Sequence, residues 1–255
     1  MTNTGITPRW IMRFHPNPEA GVRLVCFPHA GGSASYYHPL SVRFARDADV
    51  IALQYPGRQE RRREACIDDI GLLADRLAEQ LAPLADKPTV YYGHSMGGIL
   101  AFETAWRLEQ SGLRGCQSLV ASGRRAPSTR RSETVHRLDD DGVIAELQQL
   151  GGTDPRMIDD ELLRIALPSI RGDYKAIESY VPTPDRKVSC PIVALTGDAD
   201  PLTTIAETEA WRRHTDEDFR SRVFPGGHFF ITSNLAAVQH EIAREMAAVR
   251  QLAAL

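Results

Sequence analysis

Residues 89–97, Thr-Val-Tyr-Tyr-Gly-His-Ser-Met-Gly, constrain this chain more than any other stretch. A run of β-forming residues ends in Gly93-His94-Ser95-Met96-Gly97, and a helical run, Gly98-Ile99-Leu100-Ala101-Phe102, begins at once. A serine flanked in this way, strand before and helix after, sits on a tight and strained turn. The two glycines allow the close strand–helix approach. The turn predicts that the Ser95 hydroxyl is held out beyond the strand end, ready to act as a nucleophile.

A serine hydroxyl is a weak nucleophile. It needs a base, and the base needs a group that fixes its tautomer. On a sheet with this type of elbow the chain order is serine, acid, histidine. Pro191-Ile192-Val193-Ala194-Leu195-Thr196 reads as a buried strand and runs into Gly197-Asp198-Ala199-Asp200-Pro201, a turn with two carboxylates. Arg222-Val223-Phe224 reads as another strand and runs into Pro225-Gly226-Gly227-His228-Phe229-Phe230. Serine, acid and histidine would all lie past the C-terminal ends of strands, where open α/β sheets place their sites. Of eight histidines, only His228 follows both other candidates in a post-strand turn. His15, His136, His214 and His240 read as surface residues. His38 falls in the first helical pattern, His94 is expected beneath the nucleophile, and His29 is expected to line the pocket. Either Asp198 or Asp200 can supply the acid. Pro201 favours Asp200, because it reads as the first residue of the next helix. Asp198 then has the role of a turn carboxylate.

An oxyanion needs two backbone donors. One is the N–H after the nucleophile, Met96. The other comes from a loop after an early strand. Val22-Arg23-Leu24-Val25-Cys26-Phe27 is such a strand, followed by Pro28-His29-Ala30-Gly31-Gly32-Ser33. Ala30 is the expected second donor.

Strands are expected near 22–27, 49–54, 89–94, 117–122, 191–196 and 219–224. Helices are expected near 36–46, 68–82, 97–111, 201–214 and 234–252, the last behind Asn234 as N-cap. This alternation predicts an α/β fold with a mostly parallel sheet covered on both faces. The segment between the strands ending near Ser122 and starting at Pro191 is too long for a loop. Val143, Ile144, Leu147 and Leu150 mark one amphipathic helix in it. Leu162, Leu163, Ala166, Leu167 and Ile170 mark another, which Pro168 should bend or split. Gly151-Gly152 separates the two, and Pro182 and Pro184 close the segment. The expected organisation is a core of residues 1–125 and 188–255 with a helical lid insertion at 126–187, whose spare apolar residues line an acyl channel.

The length of 255 residues suits one such domain, and 42% hydrophobic residues suffice for a sizeable core. No apolar run is long enough to span a membrane. Charges scattered through Met1 to Phe14 argue against a signal peptide. The four cysteines, Cys26, Cys66, Cys116 and Cys190, are dispersed and read as free thiols of a cytoplasmic protein. Nothing suggests a metal site, and a net charge of −3 gives no reason to expect nucleic acid.

The chain resembles the type II thioesterases, the separate α/β-hydrolase editing enzymes of polyketide and nonribosomal peptide assembly lines. The matching pieces are Phe27-Pro28-His29-Ala30-Gly31-Gly32, Gln54-Tyr55-Pro56-Gly57-Arg58, Gly93-His94-Ser95-Met96-Gly97-Gly98, Leu150-Gly151-Gly152, Arg171-Gly172-Asp173-Tyr174, Gly197-Asp198-Ala199-Asp200 and Gly226-Gly227-His228-Phe229-Phe230. Tyr55 departs from the family, which more often has leucine there. The elbow and triad alone would say only α/β-hydrolase, a superfamily that includes carboxylesterases, lipases and acyltransferases. The resemblance implies the later carboxylate, Asp200, as the acid. It also implies hydrolysis of acyl thioesters from the phosphopantetheine arm of acyl or peptidyl carrier proteins, without a further cofactor, by a protein expected to be a monomer. Carrier proteins are typically acidic, which makes two arginine clusters, Arg58, Arg61, Arg62 and Arg63, and Arg124 with Arg125, candidate docking groups.

Overall fold

A computed structural model describes residues 10–151, 160–183 and 185–253. Seven strands form one sheet: β1 (Ile11–Met12), β2 (Arg23–Phe27), β3 (Asp49–Leu53), β4 (Thr89–His94), β5 (Ser118–Ser122), β6 (Ile192–Gly197) and β7 (Phe219–Phe224). Their spatial order is β1-β3-β2-β4-β5-β6-β7. All neighbours are parallel except β1, which pairs antiparallel with β3 through Ile11 and Leu53. The helices are α1 (His38–Phe44), α2 (Ile70–Leu81), α3 (Met96–Gln110), α4 (Asp140–Leu150), α5 (Asp160–Ser179), α6 (Ile205–Glu209), α7 (Phe230–Ser233) and α8 (Leu235–Leu252).

Strands β2 to β6 are buried along their whole length, which is why they read as continuous apolar runs. Their side chains still alternate between the two faces. Val25, Phe27, Tyr91, Leu119 and Ile192 face a core shared with α2 and α3. Leu24, Cys26, Tyr92, Val120 and Val193 face a core shared with α1 and α8. The sheet therefore has helices on both faces.

The strand order positions the site. β2 and β4 are neighbours, and the chain leaves β2 toward β3 on one side and β4 toward β5 on the other, which opens a crevice at their C-terminal ends. Phe27 pairs with Gly93, which brings the loop after β2 beside the turn after β4. Two glycines make this approach possible. A Cβ on Gly93 would lie 2.1 Å from the Gly97 carbonyl oxygen, and one on Gly97 would lie 2.0 Å from the Phe27 carbonyl oxygen.

The segment between β5 and β6 is helical. Asp139 caps α4 by accepting the Gly142 N–H at 2.8 Å, and Gly151 ends it in the left-handed region at φ 74°. Val143, Leu167, Ile170 and Tyr174 form a small core between α4 and α5. The C-terminal part of α5 enters the main core through Ala176 and Ile177. Helix α5 runs through Pro168 unbroken, so of the expected bend or split the split does not occur. Gly152, Pro184 and the Leu162 side chain lie outside the described residues.

Other expectations need correction. β1 was not foreseen, since two residues carry no periodicity. The helix expected over 201–214 begins only at Ile205, behind a capping box of Thr204 and Glu207, so Pro201 lies in a turn. Asn234 stands at the N-cap of α8, but its side chain makes no capping bond; the amide donates to the carbonyls of Pro225 and Phe230. His214 is buried, not on the surface: its Nδ1 bonds the Arg186 carbonyl at 2.8 Å and its Nε2 accepts the Ser128 N–H at 3.1 Å.

Candidate active site

Ser95 occupies the elbow with φ 53° and ψ −122°, a conformation that non-glycine residues rarely adopt. Its N–H donates to the Ser122 carbonyl at 2.8 Å, and its carbonyl accepts the Gly98 N–H at 2.9 Å. These bonds hold the strained turn and leave the hydroxyl free.

The turns after β6 and β7 bring the other two residues to it. His228 Nε2 lies 3.0 Å from Ser95 Oγ, and His228 Nδ1 lies 2.9 and 3.1 Å from the two Asp200 oxygens. A carboxylate only accepts, so it selects the tautomer with hydrogen on Nδ1. Nε2 then accepts from the serine hydroxyl. Asp200 Oδ1 also accepts the Leu202 N–H at 2.8 Å, and the side chain is fully buried. Asp198 has a different task. Its Oδ1 accepts the Gly226 N–H at 2.9 Å and so fixes the turn that carries His228. The geometry separates the two carboxylates that the sequence left in competition.

Aromatic rings surround the base. His94 is buried beneath it with ring centroids 5.1 Å apart, and Phe229 packs on it at 5.3 Å. Burial, then the neighbouring His228 and His29, push the His94 pKa well below the usual histidine value. Burial, then His228 and Arg58, lower His29 to about 3. Both stay neutral beside His228, which leaves room for one imidazolium there.

The expected oxyanion donors lie on either side of the crevice. Met96 is the first residue of α3, so a helix of this kind cannot satisfy its N–H internally. Ala30 is aimed by its neighbours. The Gly32 N–H donates to the His29 carbonyl at 2.9 Å, and in a trans peptide the Ala30 N–H then points the opposite way. Asp173 of α5 accepts the Gly31 N–H at 2.8 Å. It also pairs with Arg58 through two bonds of 2.8 Å, while Arg58 donates to the Gly32 carbonyl at 2.9 Å. A buried ion pair thus clamps the loop from the inserted helix. The Arg171-Gly172-Asp173-Tyr174 motif was visible in the sequence, but the job of Asp173 was not.

Ser95, His228 and Ala30 open on a cavity of about 180 Å³, closed from the insert by Leu147, Tyr174 and Ile177. It adjoins a cleft of about 720 Å³ lined by residues 124–137 and the end of α5. Among the described residues no group of histidine, cysteine or acidic side chains could hold a metal ion. No described helix is long and apolar enough to cross a membrane.

The sequence profile of the thioesterase domain matches residues 22–246. The chain belongs to the thioesterase family. It is 59% identical over 239 residues to a probable cadicidin biosynthesis thioesterase of Streptomyces griseus, covering 93% of this chain and 66% of that one. It thus spans about two thirds of that relative's length. It is 44% identical over 244 residues to the thioesterase PikA5 of Streptomyces venezuelae, covering 94% and 86%. The type II thioesterase BorB from the borrelidin biosynthetic cluster superposes with a TM-score of 0.88 at 45% identity, covering 93% and 97%. The fold is the α/β-hydrolase fold, and the protein is a thioester hydrolase.

The arginines of this thioesterase are not where docking would need them. Arg58, Arg61, Arg124 and Arg125 are buried. Arg58 is held by Asp173; Arg61 lies over the Trp10 ring and bonds the Gln54 carbonyl and Glu64; Arg125 pairs with Glu133. Only Arg62 and Arg63 of the six are exposed. Burial of an apolar stem with a satisfied head is common for arginine, and the sequence shows charges without showing their partners.

Proposed function

We propose that Ser95, His228 and Asp200 hydrolyse acyl thioesters carried on the phosphopantetheine arm of acyl or peptidyl carrier proteins, releasing stalled or mis-primed acyl groups. The observation that carries this reading is the continuous line from Ser95 Oγ through the His228 ring to Asp200, opening on a cavity to which Leu147, Leu150, Tyr174 and Ile177 contribute apolar lining. The names of the relatives, which work in antibiotic and polyketide biosynthesis, support the substrate class.

Ser95 Oγ attacks the thioester carbonyl carbon while His228 Nε2 takes the hydroxyl proton. The oxyanion accepts hydrogen bonds from Ala30 and Met96. The C–S bond breaks and His228 returns the proton to the leaving sulfur. With a thiol pKa of about 8.5, the leaving group demands less of the acid than an amide nitrogen would. Water, deprotonated by His228, then attacks the acyl-serine ester, and the carboxylic acid leaves as Ser95 regains its proton. Asp200 holds the ring and stabilises the imidazolium. The insert of residues 126–187 acts as the lid over this chamber.

The test is to offer carrier proteins loaded with acetyl, butyryl, malonyl and aminoacyl groups and to follow release of each acid. Release from carrier proteins by the wild type and none by Ser95→Ala is the expected result. Faster turnover of oxoesters than of thioesters would sink the proposal.

A further inference from the structure

Among the described residues five arginines are buried: Arg23, Arg58, Arg61, Arg124 and Arg125. Four have a carboxylate within ion-pair distance: Asp49, Asp173, Glu64 and Glu133 respectively. Arg124 is the exception. Among the described residues it makes no ion pair, and its buried Nε has no hydrogen-bond partner, although the residue is only 7% exposed. Glu133, whose charge acts on it, is engaged by both terminal nitrogens of Arg125 at 2.9 and 2.6 Å. Arg131 and Arg125 add like charge beside it, and Arg131 is itself turned to Glu207. Burial above all, then Arg125, pushes the Arg124 guanidinium down to about 9, so it remains charged at neutral pH.

A buried, uncompensated cation is costly, and removing the partner of a buried charge normally destabilises strongly. The position of Arg124 gives that cost a use. It lies two residues past the end of β5, and its Cβ would lie 3.6 Å from a Cβ on Gly98, three residues beyond Ser95. It lines both the Ser95 cavity and the 720 Å³ cleft, so its side chain stands at the junction of the two. A substrate reaching Ser95 through that cleft passes it. Its backbone is fixed there, since the Arg124 carbonyl accepts the Trp211 indole N–H at 2.8 Å.

We infer that Arg124 is a substrate-binding residue that receives an anionic oxygen group of the thioester substrate at the junction of the two cavities. This rests on the thioesterase reading of the same site and adds a specificity element to it. A guanidinium offers five N–H donors in a fork suited to carboxylate or phosphate. Two sources carry that chemistry: a carboxylate on the acyl chain and the phosphate of the arm.

Two substrate pairs separate them. The first is the S-succinyl against the S-butyryl thioester of N-acetylcysteamine, which differ by the acyl carboxylate. The second is S-butyryl-phosphopantetheine against S-butyryl-pantetheine, which differ by the phosphate. In the wild type, kcat/KM should favour the anionic member of one pair by about ten- to a hundredfold, the range of a charge-assisted hydrogen bond. Arg124→Met should bring that ratio near one, and Arg124→Lys should retain part of it. The pair that responds names the source. If both wild-type ratios are near one, or if the preference survives in Arg124→Met, the inference is overturned. Should Arg124→Met fail to fold, the wild-type ratios and Arg124→Gln decide. Turnover of the neutral butyryl thioesters without any anion preference defeats this inference alone; no turnover of any thioester defeats the thioesterase reading itself.

Discussion

Replacing Asp173 by alanine should damage both the stability and the catalysis of this enzyme. Asp173 is 1% exposed and Arg58 is 6% exposed, and they are joined by two hydrogen bonds of 2.8 Å. Asp173→Ala leaves a guanidinium buried without its counter-charge and the Gly31 N–H without its acceptor. Breaking a buried pair in this way costs about 3–5 kcal/mol. A domain's total stability is about 5–15 kcal/mol. In a chain of this size each kcal/mol moves the melting temperature by about 2–4 °C, so a fall of about 6–20 °C is expected. The loop carrying Ala30 loses its clamp at the same time. Full loss of one oxyanion donor costs about 10²- to 10³-fold in kcat, which bounds the effect of a misdirected one.

Stability and loop geometry can be separated. Arg58→Met combined with Asp173→Leu removes both charges and fills the space with apolar atoms, an exchange that is often near neutral for stability. The double variant should melt near the wild type. Its kcat should stay low with KM little changed, because Gly31 and Gly32 still lack their partners. Thermal melts and steady-state kinetics on a butyryl thioester measure both. A single Asp173→Ala variant that melts within about 2 °C of the wild type would refute the energetic argument. Full recovery of kcat in the double variant would refute the positioning argument, and the pair would then serve stability alone.

Ser95→Ala should abolish labelling by a fluorophosphonate without unfolding the protein, and Asp200→Asn should lower kcat by about 10⁴-fold. Asp198→Asn should be much milder, because that carboxylate holds the Gly226 N–H and not the imidazole; a reversed order of severity would show the acid to be misassigned. The fully buried His94 has its pKa held well below 6.5, so the unfolded chain takes up a proton that the folded protein refuses. Stability is thus intact above about pH 6.5 and is lost as pH falls below it, and His94→Gln should flatten that acid limb by up to about 1.4 kcal/mol per pH unit. Identical limbs in denaturant titrations at pH 6.5 and 5 would rule this out. Arg62 and Arg63 are the exposed members of the first arginine cluster. Reversing both to glutamate should lower kcat/KM for acylated carrier protein several-fold while sparing a small thioester, and equal losses on both substrates would end the docking idea.

The chemistry-bearing turns were legible because each rests on local rules. Ser95 needs glycines at 93 and 97 for contacts that reach 2.0–2.1 Å with any Cβ, so the pattern is forced by sterics. Both aspartates follow β6, whose burial on two faces makes it a continuous apolar run, and His228 follows β7 in a glycine-rich turn. What stayed hidden depends on partners distant in sequence. Arg58 and Asp173 are 115 residues apart, and no local signal says that they meet. Arg61, Arg124 and Arg125 read as surface charge because the packing that buries them leaves no local pattern around a charged residue. A second group of misses came from choosing the wrong local signal. Pro201 suggested a helix start, yet Thr204 and Glu207 three residues on form the true capping box. Asp200-Pro201 is instead a turn, in which the acid's Oδ1 accepts the Leu202 N–H.

That turn has a consequence for the triad. Had α6 begun at Pro201, Asp200 would have been the N-cap, with its carboxylate drawn to the first helical N–H groups. Delaying the helix by four residues leaves one backbone N–H on Asp200 and directs both oxygens toward His228 at 2.9 and 3.1 Å. The arrangement that misled the sequence reading is therefore the one that frees the carboxylate for the base. The inserted helix shows the same dependence. Asp173 could have been one more surface charge on α5; instead it is buried against Arg58 and the Gly31 N–H. In both cases the residue's function is set by which backbone donors the fold leaves within its reach.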